Sequence, residues 1–211
     1  MKPQRLLFII SLYLLISCSK NGSNAPSEPT PPENATEITN VYLDKTSGYC
    51  GDHEGEYWAS STGTASGNQF TSNIKIIAGE NTCSLTSNSI PNYDFDDGAF
   101  HEAVAYQNLS MKIYNNPQMA NTTTALSLNY YNGILLNGVT VDLLSAGCFG
   151  VGNGMIGCFD INTPWRSDPG SSLNTFGVDE HNAHTQPGGL YHYHSDPGAL
   201  YNPTDVSRVS P

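Results

Sequence analysis

Alternation of apolar and polar positions is the strongest local signal along this chain. Leu109–Tyr114 and Thr124–Asn129 alternate with a period of two, which predicts half-buried strands. Asn73–Ala78 is a third predicted strand and ends before a turn at Gly79–Asn81. Long stretches with helical periodicity are absent. The pattern predicts a mainly β fold, specifically an antiparallel β-sandwich with long loops.

Two apolar runs that meet at Asn137-Gly138 predict a hairpin. Gly133–Gly138 and Val139–Leu144 are the runs, and both residues of the Asn-Gly pair tolerate the positive φ of a tight turn. The hairpin therefore adds two further strands to the expected fold.

The N-terminus has the pattern of an export signal. A basic start is followed by an apolar run, Leu6–Ile16, which is too short to cross a bilayer. The run leads into Leu15-Ile-Ser-Cys18, which resembles a bacterial lipobox. Residues 1–17 are therefore predicted to be a lipoprotein signal peptide, with a lipid on Cys18. The alternative is an ordinary secretory signal that is cleaved a few residues later.

Residues 18–40 are predicted to be an extended tether, because they are rich in Pro and Ser and poor in large apolar groups. A single β domain over residues 41–211 is expected to follow. The predicted location is the bacterial cell envelope, on the outer membrane or its periplasmic face.

Charge narrows the range of partners. Without residues 1–17 the chain has six basic residues against 19 acidic ones, a formal charge of −13. Nucleic acid is excluded as a partner, because its phosphates require a basic surface. Membrane contact is expected only through the lipid on Cys18. The sequence does not identify a protein or glycan partner.

The remaining cysteines number four, which in an exported chain predicts two disulfides. Pairing by proximity favours Cys50–Cys83 and Cys148–Cys158. Three pairings are possible, and the sequence alone does not choose among them.

Four of the six histidines lie within fourteen residues, at His181, His184, His192 and His194. Imidazole is a common ligand of transition metals. Tyr191–His194 is predicted to be a strand, so His192 and His194 point to the same side.

The i, i+3 spacing of His181 and His184 is typical of a helical turn or a tight loop, and Gln186–Gly189 has turn residues. A hairpin there brings the two pairs together around one copper or zinc ion. Asp179 and Glu180 are expected to bind the same ion or to orient its ligands. The alternative is that the imidazoles only form hydrogen bonds within a polar loop.

The segment from Phe176 to His194 closely resembles the signature of the YHYH-domain family, which is named for Tyr191–His194. Asn88–Tyr93, Asn132–Val139 and Thr163–Trp165 resemble other segments of that family. The resemblance covers Ser87 to Pro211.

The resemblance implies an exported bacterial protein, often a lipoprotein, with no established activity. It also implies a metal site that contains His181, His184, His192 and His194. Related chains continue beyond the motif, so a second half is expected to be missing here.

Three functions fit these patterns. The first is a metal-binding lipoprotein domain, and the second is a metal-dependent hydrolase or oxidoreductase built on the same site. The third is a non-catalytic binding or adhesion module that uses the twelve tyrosines. No catalytic residue can be assigned from the sequence.

Overall fold

A computed structural model of the chain describes residues 28–43, 47–145, 147–148, 166–167, 169–170, 177–202 and 204. The expected signal peptide, Cys18 and Cys158 lie outside these ranges. Within them the chain is mainly β, which confirms the predicted fold class. None of the helices in this part of the chain is long and apolar enough to cross a bilayer.

The first sheet contains five strands in the order β1-β2-β3-β4-β5. They are β1 Thr36–Glu37, β2 Gly55–Thr62, β3 Gln69–Ala78, β4 Thr82–Ser87 and β5 Leu109–Tyr114. On β3, buried Ile74 and Ile76 alternate with exposed Lys75 and Ile77, so one face of the sheet is covered and the other is open to water.

The second sheet contains four shorter strands in the order β6-β7-β9-β8. They are β6 Gly133–Ile134, β7 Thr140–Val141, β8 Ala183–Gln186 and β9 Leu190–Tyr193. β9 lies between β7 and β8, so the histidine-rich strand has a neighbour on each side.

Two apolar clusters join the sheets. In the larger cluster, Phe70 of β3 belongs to the same buried group as Tyr191 and Tyr193 of β9. In the smaller one, Ile134 of β6 packs against a group that contains Ile74. The second sheet is therefore held against the first by side chains on both of its hairpins.

The Asn137-Gly138 hairpin forms as predicted and closes tightly on the first sheet. The Ser87 hydroxyl donates a hydrogen bond to the Gly138 carbonyl over 2.6 Å. Gly138 has a φ of +78°, and a Cβ at this position would lie 2.4 Å from Ser87 Oγ. Glycine is therefore required both by the backbone conformation and by the close approach.

Two fold predictions were wrong in detail. The sheets are mixed instead of antiparallel, because β1 runs parallel to β2 and β7 runs parallel to β9. Thr124–Asn129 forms no strand, although its residues alternate. Leu126 is 42% exposed there, so the alternating apolar positions do not cover a buried face.

The folded unit begins before residue 41, within the segment predicted to be tether. Thr36–Glu37 pairs with β2, and Ile38 is buried in the smaller apolar cluster. The Asn92 side chain donates hydrogen bonds to the carbonyls of Ile38 and Val41, which fixes the entry of the chain into the domain.

The predicted disulfide between Cys50 and Cys83 is present. It connects a short 3-10 helix, Cys50–His53, to β4. Cys148 is also disulfide-bonded, and its predicted partner Cys158 lies outside the described residues.

Candidate metal centre

A tight hairpin positions the histidines. β8 and β9 are joined by a turn in which the Gly189 amide donates to the Gln186 carbonyl over 2.9 Å. Gly188 and Gly189 both have positive φ, at 94° and 76°. This turn sets the antiparallel register that places His184 directly opposite His192.

The other side of this turn is fixed by a distant segment. The Ala105 amide donates to the Gly189 carbonyl, and the Gln107 side chain donates to the Gly188 carbonyl. A Cβ on Gly189 would lie 2.5 Å from the Ala103 carbonyl oxygen. The hairpin therefore has room for no larger residue at position 189.

Strand alternation separates the tyrosines from the histidines, as the sequence predicts. Tyr191 and Tyr193 point into the larger apolar cluster and are fully buried. His192 and His194 point to the opposite side, where their Nε2 atoms lie 3.1 Å apart. His192 is itself only 2% exposed, so this side of the strand is also sheltered from water.

His184, His192 and His194 form a compact triad. The Nε2 atoms of His194 and His184 are 3.0 Å apart, and the three ring centroids are separated by 4.7 to 4.9 Å. One ligand atom from each residue lies within 4.8 Å of the others. No other group of three or more potential ligands was found among the described residues.

The two short distances at His194 suit a metal ion, and the three ligand atoms as a group lie within 4.8 Å of one another. Zinc–nitrogen bonds of about 2.0–2.1 Å in a tetrahedron hold neighbouring nitrogens about 3.3 Å apart. The contacts of 3.1 and 3.0 Å at His194 are close to that spacing. Three protein ligands also leave one coordination position for a non-protein ligand.

The contacts at His194 are difficult to satisfy without a cation. A neutral imidazole carries one in-plane proton or one in-plane lone pair on Nε2, so this atom forms one linear hydrogen bond. Nevertheless it lies 3.1 Å from His192 Nε2 and 3.0 Å from His184 Nε2. A metal ion would use all three lone pairs at once.

The rings of His192 and His194 are held in their neutral form, which is the form that binds metals. Burial, followed by the His194 and His184 rings, lowers the pKa of His192 to about 3. Burial and then His184 lower the pKa of His194 to about 4, while the backbone of Asp142 acts in the opposite direction. His192 Nδ1 lies 3.2 Å from the Leu190 carbonyl, an arrangement that fits a proton on Nδ1 and a free lone pair on Nε2.

The structure does not bring His181 into this triad. A turn with Asn182 at a φ of +55° precedes β8, and His181 packs against Tyr93 with a ring separation of 4.2 Å. His181 Nδ1 lies 3.1 Å from the Pro197 carbonyl, and Nε2 lies 3.6 Å from the Glu180 carboxylate. The structure therefore brings three of the four predicted histidines together, and His181 lies apart from them.

Asp179 and Glu180 also lie outside the cluster of His184, His192 and His194. Asp179 is buried and accepts hydrogen bonds from the backbone amides of His181 and Ala183 and from the Tyr191 hydroxyl. Burial raises the pKa of the Asp179 carboxyl, and these hydrogen bonds partly offset the rise, that of Tyr191 most strongly. Asp179 thus shapes the turn before β8, and Glu180 is exposed to solvent.

The tyrosines form a second polar cluster on the other side of β9. Tyr93 Oη lies 2.5 Å from Tyr193 Oη and 3.4 Å from Tyr191 Oη, and the Asn137 side chain donates to Tyr193 Oη. Burial raises the pKa of all three phenols, so they remain neutral hydrogen-bonding groups.

Sequence reasoning missed two residues of β7 and its continuation. Thr140 pairs in register with His192, and Asp142 follows two residues later. Burial raises the pKa of the Asp142 carboxyl, which accepts a hydrogen bond from the Leu144 amide. The Asn-Gly hairpin signal predicts their strand, but only the parallel pairing of β7 with β9 places it beside the histidines.

Residues 110–210 match the model of the family described as YHYH protein. This match confirms the resemblance found in the sequence, and the matched range contains the whole triad. No curated protein and no solved structure matches the chain. The comparisons therefore supply a family but no activity.

Proposed function

We propose that this chain, which belongs to the YHYH family, binds one zinc or copper ion through the Nε2 atoms of His184, His192 and His194. The principal support is the pair of contacts at His194, where two other Nε2 atoms lie within 3.1 Å. Three imidazoles suit both metals, and copper binds the more tightly of the two when it is available.

Elemental analysis combined with competitive titration tests this proposal. Purified protein is expected to bind one Zn²⁺ or Cu²⁺ per chain, and His184→Ala is expected to abolish stoichiometric uptake. His101→Ala is the matched control, because this imidazole is exposed and lies outside the triad. Equal affinity in His184→Ala and wild type would disprove the site.

We further propose that the domain is a lipid-anchored protein of the bacterial cell envelope, with Cys18 as the acylated residue. The lipobox-like sequence before Cys18 supports this, and the Cys50–Cys83 disulfide suits an oxidising compartment. Mass spectrometry of the mature N-terminus should detect an acylated cysteine, and Cys18→Ala should release the protein from the membrane fraction. An unmodified N-terminus beyond residue 18 would contradict this proposal.

Metal-assisted hydrolysis is the second candidate, and the three-ligand geometry favours it. Such a site keeps a position for water, and the metal supplies acidity to that water. Asp142, which directly follows β7 and has a raised pKa, is the candidate for a general base. Zinc-loaded protein would be assayed with nitrophenyl esters, and activity that persists in His184→Ala would exclude the triad as its source.

A further inference from the structure

Thr140 carries a buried hydroxyl that has no partner among the described residues. The residue is fully buried, and Oγ1 contacts no donor or acceptor within hydrogen-bonding distance there. Buried hydroxyls are normally paired, so the Thr140 hydroxyl is open to a partner from outside the described residues.

Register places this hydroxyl on the side of the triad. Thr140 pairs with His192 across the parallel β7 and β9 strands, and paired residues project from the same face of a sheet. Val139 and Val141, on either side of it, pack into the cluster of Tyr191 and Tyr193. Thr140 therefore projects away from the tyrosines and towards the histidines.

We infer that the Thr140 hydroxyl lies against the fourth coordination position and forms a hydrogen bond with the small ligand bound there, either water or a small anion. This inference rests on the proposed metal site. It assigns Thr140 a role in selecting the non-protein ligand, whereas the three imidazoles hold the metal. Three nitrogen ligands leave that position open, and Thr140 is the one buried unpaired hydroxyl of the second sheet among the described residues.

Cobalt and azide provide the test. Co²⁺ replaces zinc as a visible probe, and azide binding is followed through the change in the cobalt absorption bands. The variants are Thr140→Val, which has the same shape without the hydroxyl, and Thr140→Ser, which restores it. Ser72→Ala is the matched control, since Ser72 is also a fully buried residue with an unpaired hydroxyl, but it lies on β3 of the first sheet.

The azide Kd is expected to change about fivefold to tenfold in Thr140→Val, the ratio that corresponds to one hydrogen bond. Thr140→Ser and Ser72→Ala should stay within about twofold of wild type. A Thr140→Val protein that binds Co²⁺ and retains the wild-type azide Kd would overturn the inference and leave the metal site intact. The same change in Thr140→Ser or Ser72→Ala would also overturn it. Failure of the wild-type protein to bind Co²⁺ would overturn both the proposed metal site and the role of Thr140.

Discussion

The two sides of the segment Tyr191–His194, which contains most of β9, each carry two aromatic rings but differ in how their polar atoms are satisfied. On one face, the hydroxyls of Tyr191 and Tyr193 find partners in Asp179, Tyr93 and Asn137. On the other face, the Nε2 atom of His194 contacts the Nε2 atoms of His192 and His184. The hydroxyls of the tyrosine face thus have partners within the protein, whereas the histidine face has the arrangement expected for the metal ion that we propose. A buried polar cluster stabilises a fold only when its members supply enough donors for their acceptors.

The largest difference between the faces should appear in metal affinity. His194→Ala removes the central imidazole of the triad and is expected to weaken Zn²⁺ binding at least about 100-fold, because two ligands do not complete a zinc site. Tyr193→Phe, on the opposite face, should keep its affinity within about threefold. Isothermal titration of both variants checks this, and a comparable loss in both would show that the two faces act as one unit.

Acid should destabilise the metal-free protein through the histidine face. The folded-state pKa values of His192 and His194 are about 3 and about 4, below the usual 6.5. Between these values the unfolded chain binds more protons than the folded chain, so stability is fully present above pH 6.5 and falls as the pH falls. From pH 7 to pH 4 these two histidines together are expected to lower the free energy of unfolding by on the order of 6 kcal/mol.

Urea denaturation at several pH values measures this decrease. The control replaces His184, His192 and His194 with Gln and should show a flatter profile. Burial raises the pKa of Asp142 and Asp179, which act in the opposite sense, and the control retains both. An unchanged slope in the control would assign the acid sensitivity to other groups.

Removing a hydrogen bond on the tyrosine face should lower the stability of the fold. Tyr191→Phe removes the hydroxyl that donates to Asp179 over 2.7 Å and leaves a buried carboxylate oxygen without this donor. The free energy of unfolding is expected to fall by about 1 to 2 kcal/mol, and the metal stoichiometry should stay unchanged. Chemical denaturation at pH 7 tests it, and a variant as stable as wild type would mean that water replaces the donor.

The smallest effect on metal binding is expected at the fourth histidine. His181 packs on Tyr93 and lies apart from the triad. His181→Gln should therefore bind Zn²⁺ within about twofold of wild type, because the three imidazole ligands are retained. A tenfold loss would restore His181 as a ligand and require the turn before β8 to rearrange on binding.

Local signals predicted much of the fold. The strand Leu109–Tyr114 has the bounds expected from its alternation, and the Asn137-Gly138 turn closes a hairpin. Thr124–Asn129 shows the limit of the same signal, because alternation produces a strand only where a neighbouring strand and a buried face are available. The parallel pairings of β1 and β7 depend on contacts between distant parts of the chain, which no local pattern encodes.

Local sequence patterns also predicted only part of the candidate site. Strand periodicity correctly placed His192 and His194 on one side, and the glycine turn brought His184 opposite His192. The prediction that the i, i+3 spacing brings His181 together with His184 was wrong, because Asn182 adopts a positive φ and the chain enters a strand at Ala183. Thr140 has no motif of its own, and its relation to His192 arises only from the register of a parallel pair.

The close packing at Gly189 has a consequence for protein engineering. A synthetic peptide with the sequence of residues 178–196 would contain all three imidazoles of the triad but not the carbonyl and amide of Ala103 and Ala105 that enclose its turn. An isolated two-stranded hairpin is at best marginally stable in water. Transplanting the triad into another scaffold would therefore require the supporting segment around residues 103–107 as well as the histidines.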